Sequence, residues 1–316
     1  MDKIAVLIPC YNEASSVAKV VHDFRAALPD ATIYVYDNNS TDGTPEIAEK
    51  AGAIVRHKPR QGKGNVVRRM FQDIDAECYI MADGDDAFPA EDSVEMAGLV
   101  LGGNADMVIG DRLSSTYAQE NKRLFHGFGN SLVKTLINRI FKADIHDVMT
   151  GYRALSYRFA KSFPIVSRGF EIETEMTIHA VDKNMKIVNR PVNYRERPDG
   201  TKSKVRTIPD GIKVIRTILQ LFSNYEPFKF FGMLSLFLAV LSILFFLPVF
   251  ADYLRTGLVE RFPTLIVCGF VMIAALHMFF AGIILRSIKH REHLLFEFRL
   301  QEINQWRKRL VPSEED

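Results

Sequence analysis

Two carboxylates separated by one glycine, Asp83 and Asp85, follow directly after the apolar run of residues 78–81. If that run is a strand, the chain turns here, and both carboxylates can direct oxygens at one hard cation. Mg²⁺ or Mn²⁺ held in this way keeps several waters and is completed by ligand phosphates. We therefore predict a divalent-metal site that offsets charge on a leaving diphosphate. An ordinary surface turn is the alternative, because aspartate and glycine are common turn residues.

Asp37 opens a second polar stretch, after the second apolar run of the chain. A carboxylate at the end of such a strand can accept hydrogen bonds from a ribose or a base. Thr41 or Asp42 could cap the helix that is expected to begin near Thr44. We expect Asp37 to bind a ligand and Asp42 to be structural.

Lys63 lies between two glycines at the start of a predicted helix. A cation at that place suits a phosphate group, because the amides of a helix N-terminus also attract anions. The spacing is not that of a Walker phosphate loop, and a plain surface loop is the alternative.

Residues 195–204 form a basic loop interrupted by proline and glycine, which includes Arg197 and Lys204. Such a loop could close over a diphosphate or hold a lipid phosphate at a membrane surface. Contact with anionic lipid headgroups alone is the alternative.

Alternating strand and helix signals would position these polar loops. Continuous apolar runs predict strands buried on both faces, and apolar residues at helical spacing predict helices. The order indicates an α/β domain with a mostly parallel, Rossmann-like sheet, in which ligands bind beyond the carboxyl ends of the strands. The predicted strands are 4–8, 32–36, 53–55, 78–81 and 107–109, and the predicted helices are 14–28, 44–51 and 64–74.

Two long segments near the C-terminus, 230–251 and 262–285, contain no charged residue. Each reaches the roughly 20 residues that a helix needs to cross a bilayer; buried core helices are the alternative. An amphipathic helix precedes them and would lie in the membrane interface or pack on the catalytic domain. The expected organisation is a catalytic domain (1–205), an amphipathic juxtamembrane helix (206–227), two transmembrane helices (228–251 and 262–285), and a cytosolic C-terminal helix and tail (286–316).

Lysine and arginine flank both apolar segments on one side, whereas the charges of the connecting loop, 252–261, cancel. The positive-inside rule then predicts both termini in the cytosol, and the N-terminal sequence has no signal-peptide pattern. A net charge of +2 gives no indication of nucleic-acid binding. The three scattered cysteines form neither a disulfide framework nor a metal-ligand spacing.

Taken in order, the motifs resemble those of the family 2 glycosyltransferases with a GT-A fold. Among these, the chain most resembles the polyprenyl-phosphate glycosyltransferases, including dolichol-phosphate mannose synthases and their relatives with two C-terminal transmembrane helices. The resemblance covers residues 4–205 and the membrane layout. It is carried by residues 8–13, 37–44, 62–64, 83–85 and 147–153.

The resemblance implies roles for individual residues. The nucleotide-sugar site would comprise Pro9, Tyr11, Glu13, Asp37, Lys63, Asp83, Gly84, Arg197 and Lys204. Asp83 and Asp85 would hold the metal, and Arg112 and Arg123 would hold the acceptor phosphate. Asp85, Asp147 and Arg112 would be catalytic, with Asp147 acting as a base, as an orienter of an arginine or as a sugar contact.

One position departs from the mannose synthases. Ala87 stands where those enzymes carry a glutamine that assists the metal. A third ligand, if there is one, would then be Asp86 or a water.

The expected function is metal-dependent, inverting transfer of a sugar from a UDP- or GDP-linked donor to a polyprenyl phosphate, such as undecaprenyl or dolichyl phosphate. It would take place at the cytosolic face of a membrane, which is the inner membrane if the organism is prokaryotic. Transfer to a hydroxyl group of a glycolipid or polysaccharide is the alternative, and a nucleotide-sensing membrane protein without turnover is a more distant one. Paired spans often associate, so a homo-oligomer is a further expectation.

Overall fold

The computed structural model describes residues 1–114, 134–135, 137–139, 143–169, 171–195, 219 and 222–310. The chain forms two compact units. The first unit comprises Met1–Ile208 and Glu297–Asp316, and the second unit comprises Pro209–Phe296.

Within the described residues, the first unit contains one seven-stranded sheet in the order β3-β2-β1-β4-β6-β5-β7. Six strands run parallel, and β6 runs antiparallel to both of its neighbours. This confirms the prediction of an α/β domain with a mostly parallel sheet. The strands are β1 (Asp2–Cys10), β2 (Thr32–Asp37), β3 (Ile54–His57), β4 (Ala76–Met81), β5 (Met107–Asp111), β6 (Arg153–Ser156) and β7 (Ile187–Pro191).

Helices cover the sheet because their apolar residues recur at helical spacing. In the first helix of the unit, Val17, Val20, Val21 and Phe24 are buried against the core, as positions three and four apart on one face must be. The central strands are buried on both faces, as their continuous apolar sequences predict. The helices are α1 (Val17–Ala27), α2 (Thr44–Lys50), α3 (Lys63–Asp73), α4 (Asp92–Leu101), α5 (Tyr157–Ser162) and α6 (Ile172–Asp182).

The second unit contains α7 (Pro227–Thr256) and most of α8 (Phe262–Leu310). By length and composition both helices could cross a membrane, and only 11% and 17% of their most apolar windows are buried. That exposure does not fit the alternative of buried core helices. Helix α8 continues past residue 285 without interruption. The predicted amphipathic helix, 206–227, lies largely outside the described residues.

Two serines connect the apolar helices. Ser235 donates its hydroxyl to the carbonyl of Ala275 at 2.7 Å, and Ser242 donates to the carbonyl of Cys268 at 2.8 Å. The two donors are seven residues apart, and so are the two acceptors, so the contacts repeat along one antiparallel seam.

Candidate active site

Three polar loops leave the sheet at the same edge. β1 lies between β2 and β4, and both pairings are parallel. Cys10 is in register with Asp37, and Leu7 is in register with Met81. The loops that follow these three strands therefore meet at one crevice, which is where a doubly wound sheet binds ligands.

The loops after β1 and β2 are fastened to each other by side-chain hydrogen bonds. The side-chain oxygen of Asn12 accepts a hydrogen bond from the backbone amide of Thr41 at 2.9 Å. The backbone amide of Asn12 donates to the hydroxyl of Ser40, also at 2.9 Å. Asp42 accepts from the amide of Ala14 at 3.0 Å and from the Thr44 hydroxyl at 2.5 Å. These bonds agree with the structural role expected for Asp42.

The same bonds change the ionisation of Asp42. Burial alone would raise the pKa of Asp42, but the hydrogen bonds from Thr44 and from the backbone amide of Ala14 outweigh it and lower that pKa. The fastening therefore favours the carboxylate form.

Asp37 is almost completely buried at the end of β2. Its carboxylate accepts hydrogen bonds from the amides of Asn39 and Ser40, at 3.2 Å each, and lies 3.0 Å from Nδ1 of His57. It therefore shapes its own loop, and its contact with a nucleoside stays a prediction. On the neighbouring loop, Tyr11 is exposed, and Glu13 is partly exposed.

Gly84 lies between the two candidate metal ligands, Asp83 and Asp85, and packs closely against Cys10. A methyl group at this position would lie 2.7 Å from Sγ of Cys10, so a larger residue does not fit. The carbonyl of Gly84 accepts a hydrogen bond from Ser16 at 2.6 Å. Next to it, Asp85 accepts from the amide of Ala87 at 3.2 Å.

Asp86 is engaged with basic residues. Its Oδ1 lies 2.8 Å from Nζ of Lys19 and 3.3 Å from a guanidinium nitrogen of Arg195. Asp86 adopts a left-handed backbone conformation, with φ 57°. Asp86 is one of the two alternatives for a third metal ligand, and this alternative stays a prediction.

Lys63 lies at the first position of α3, between two carboxylates. Its Nζ is 2.5 Å from Oδ1 of Asp83 and 2.7 Å from Oε1 of Glu173. Burial disfavours the charged form, but the two carboxylates outweigh it and raise the pKa of Lys63 above its ordinary value. Lys63 is therefore a cation fixed beside Asp83.

Glu173, on α6, is the residue of this cluster to which the sequence assigned no role. Its carboxyl group is buried, and burial raises its pKa although the ammonium of Lys63 acts in the opposite direction. Lys63 and Glu173 are 110 positions apart, and nothing in the local sequence of either residue signals the contact.

A second ion pair joins the residue after β5 to the segment before β6. Nε of Arg112 donates to Oδ2 of Asp147 at 2.7 Å, and the Asp147 side chain is fully buried. The guanidinium of Arg112 also lies 5.9 Å from the centre of the Tyr194 ring. Arg123, predicted to join Arg112, lies outside the described residues, as do Arg197 and Lys204.

Gly151 brings the loop of Asp147 to the Lys63 cluster. A methyl group at Gly151 would lie 2.6 Å from Oδ2 of Asp83 and 2.9 Å from Nζ of Lys63. Asp147 lies four positions before Gly151, so the segment that carries the partner of Arg112 runs on to the Lys63–Asp83 pair.

A further pair adjoins the second ion pair and was not predicted from the sequence. Asp111, at the end of β5, lies 3.0 Å from Nδ1 of His146. Both residues are direct sequence neighbours of the Arg112–Asp147 pair, and that adjacency is the signal that could have revealed them.

The acidic side chains of the crevice could hold a metal only in small number. In the described part of the chain, no three histidine, cysteine, aspartate or glutamate side chains converge as metal ligands. Among the described residues, Asp83 and Asp85 stay the candidate ligands, and two carboxylates suit a hydrated Mg²⁺ or Mn²⁺ whose coordination is completed by ligand phosphates. The ammonium of Lys63 contacts Asp83 at 2.5 Å, so a metal at that carboxylate would compete with Lys63.

Known structures share this fold. A crystal structure of glucosyl-3-phosphoglycerate synthase from Mycobacterium tuberculosis, in complex with Mn²⁺, UDP and glucosyl-3-phosphoglycerate, matches with a TM-score of 0.57. The match covers 70% of this chain and 79% of that chain at 18% sequence identity. At that identity the likeness establishes the GT-A fold alone.

Sequence relatives add the family. Glycosyltransferase AglJ of Haloferax volcanii is 34% identical over 232 residues, which are 73% of this chain and 76% of AglJ. A dolichyl-phosphate hexose transferase of the same organism is 31% identical over 202 residues, which are 64% of this chain and 86% of that protein. The model of the family described as "Glycosyl transferase family 2" matches residues 5–163. The chain therefore belongs to glycosyltransferase family 2.

Proposed function

We propose that this glycosyltransferase moves a hexose from a UDP- or GDP-linked donor to a polyprenyl phosphate at the cytosolic face of a membrane. The observation that carries the proposal is a pair of cationic side chains at one sheet edge, Lys63 beside Asp83 and Arg112 beside Asp147. Two apolar helices in the same chain, and a relative named for dolichyl phosphate, support a lipid acceptor.

The donor would bind at the edge formed by β1, β2 and β4. Pro9, Tyr11, Glu13 and Asp37 would surround the nucleoside, and Gly84 would lie beside the diphosphate. The ammonium of Lys63 would face the diphosphate, because it is fixed beside Asp83. A divalent cation held by Asp83 and Asp85 would, when bound, offset the charge of the leaving diphosphate. Arg197 and Lys204 would add positive charge from their loop.

The acceptor would meet Arg112, and Arg123 would assist. A phosphate monoester has a second pKa of about 6, so the acceptor is largely dianionic at neutral pH and attacks without a general base. The task of the protein is then to place two anions and neutralise their charge. We assign to Asp147 the role of orienting Arg112, because its buried carboxylate holds the guanidinium at 2.7 Å.

The reaction should invert the anomeric carbon. The acceptor oxygen would attack opposite the departing nucleotide, so one displacement suffices and no covalent sugar–enzyme intermediate is needed. Retention would require a nucleophilic carboxylate beneath the sugar. Asp147 is the candidate that the sequence offers for this task, and its carboxylate is bound to Arg112.

The test is a reconstituted transfer reaction. The purified protein in lipid nanodiscs is supplied with a panel of UDP- and GDP-sugars and with undecaprenyl or dolichyl phosphate, and the glycolipid is identified by mass spectrometry. We expect an acid-labile phosphosugar, loss of activity in EDTA, and its return with Mg²⁺ or Mn²⁺. For a gluco-configured sugar, the anomeric proton coupling should report a β linkage from an α-linked donor.

Other outcomes would select the alternatives. An acid-stable glycoside would indicate a hydroxyl acceptor, and nucleotide-sugar binding without any turnover would indicate a sensor. Full activity in EDTA would remove the metal from the proposal, and an α-linked product would overturn the single displacement.

A further inference from the structure

Glu173 is the second carboxylate that contacts Lys63, beside Asp83. One oxygen of Glu173 lies 2.7 Å from Nζ of Lys63, whereas its other oxygen, Oε2, is buried without a hydrogen-bond partner. A buried carboxylate with an unsatisfied oxygen costs free energy. A residue that bears this cost in a functional crevice is a candidate for a task beyond stability.

Helix α6, which carries Glu173, also fixes the loop around Lys63. Glu175 on the same helix accepts hydrogen bonds from the amides of Val166 and Ser167, at 2.9 Å each. The carbonyl of Ser167 in turn lies against Gly64, where a methyl group would collide with it. The helix therefore holds the Lys63 side chain directly and the backbone beside it through the 166–167 segment.

Charge balance then defines the task. Only 9% of the Lys63 side chain is exposed, and a buried ammonium needs a counterion. Lys63 has two, but a divalent cation at Asp83 would compete with the ammonium for that carboxylate. We infer that Glu173 is a positioning residue that retains Lys63 when Asp83 turns to the metal and the donor diphosphate. This inference rests on the proposed metal-dependent donor binding.

Removing the charge of Glu173 should therefore weaken metal binding. In Glu173→Gln, Asp83 is the remaining carboxylate beside Lys63. A metal that binds Asp83 would then leave the buried ammonium of Lys63 without a counterion, which costs free energy. Loss of a residue that supports a metal ligand commonly lowers metal affinity by about 10- to 100-fold. We expect a decrease of that size in the affinity for Mn²⁺ in the presence of nucleoside diphosphate.

The experiment measures binding without catalysis. Mn²⁺ is titrated into the full-length protein in detergent, with UDP in one series and GDP in another, and free Mn²⁺ is followed by electron paramagnetic resonance. Glu171→Gln is the matched control, because it makes the same chemical change at an exposed position just before α6 and should bind Mn²⁺ as the unaltered protein does.

A double-variant cycle separates positioning from mere structural support. If Glu173 acts through Lys63, Glu173→Gln should have no further effect on Mn²⁺ affinity in a Lys63→Met background. The double variant also leaves no unpaired charge at the Lys63 and Glu173 positions, so it keeps the test open if Glu173→Gln alone does not fold. In addition, Glu173→Asp should recover part of the affinity.

Each outcome decides a separate claim. Unchanged Mn²⁺ affinity in Glu173→Gln, or additive losses in the double variant, would overturn the role of Glu173 while leaving the proposed function intact. No Mn²⁺ binding by the unaltered protein with either nucleotide would overturn the metal-dependent function and the inference with it.

Discussion

Gly151 lies where the loop from Asp147 meets the Lys63–Asp83 pair, and the absence of a side chain there keeps the pair together. A methyl group would lie 2.6 Å from Asp83 and 2.9 Å from Lys63, so Gly151→Ala should push the two charges apart. A displacement of about 1 Å can cost roughly 100-fold in rate. We expect a loss of that order in kcat/KM for the donor, measured in the transfer assay.

Gly98 offers the matched control for this substitution. It lies in α4, and no atom would be within 4 Å of an added methyl group. Gly98→Ala should therefore retain full activity and gain up to about 1 kcal/mol of stability from the better helix propensity of alanine. Unchanged kinetics in Gly151→Ala would contradict the close packing at the site.

Asp85 and Asp86 are adjacent but should respond differently to the same change. Asparagine at position 85 keeps the shape of the side chain and can still accept the hydrogen bond from the backbone amide of Ala87. It removes the negative charge that is proposed to hold the metal. We expect Asp85→Asn to lower kcat by roughly 100-fold or more, the size found when one stabilising group of an active site is lost. The protein should remain folded, which circular dichroism would check.

Asp86→Asn tests the other alternative for a third ligand. Because the Asp86 carboxylate binds Lys19 and Arg195 in a partly exposed ion-pair network, we expect activity to change by no more than about fivefold. A loss as large as that of Asp85→Asn would place Asp86 among the metal ligands.

At the scale of elements, Asp42 fastens the end of β1 to the start of α2, and this fastening should depend on pH. The folded pKa of Asp42 is lowered, so its contribution to stability is present above its ordinary value of about 3.9 and is lost as pH falls through the folded pKa. At pH 7, Asp42→Asn should destabilise the domain by about 1 kcal/mol.

The measurement compares thermal unfolding of the two proteins at neutral and acidic pH. The difference in melting temperature between the unaltered protein and Asp42→Asn should shrink as the pH falls below about 4. A difference that stays constant with pH would mean that the ionised form of Asp42 does not carry the effect.

Some strands and helices could be predicted from the sequence, and others could not. β1, β2 and β4 were predicted because strands buried on both faces are continuously apolar. β6 was missed because it opens with a fully buried arginine, Arg153, whose charge breaks the apolar signal although backbone carbonyls satisfy it. Helix α6 was missed because it is buried on nearly every side, so no polar face alternates with an apolar one.

Part of the site could also be predicted from the sequence. The carboxyl ends of parallel strands meet at one edge of a sheet, so the convergence of the loops after β1, β2 and β4 followed from the prediction of a parallel sheet. The contact between Lys63 and Glu173 joins residues that only the complete fold brings together, and local sequence carries no sign of it.

For the whole molecule, the two apolar segments and the flanking charges predict an external loop at residues 252–261 and cytosolic termini. Glu260→Cys should react with a membrane-impermeant maleimide in intact cells, whereas Gln305→Cys on α8 should react only after permeabilisation. The native cysteines are buried and should give a low background. Labelling of Gln305→Cys in intact cells would reverse the proposed orientation.

The serine seam between α7 and α8 has a consequence for how this hairpin can diverge over time. Ser235 and Ser242 donate to main-chain carbonyls, which every amino acid supplies, rather than to particular side chains. Selection for the two bonds therefore acts on α7, whereas Cys268 and Ala275 on α8 need only remain small enough for close approach. Homologous hairpins should keep hydroxyl residues on the first helix while the facing positions of the second exchange freely among alanine, glycine, serine and cysteine.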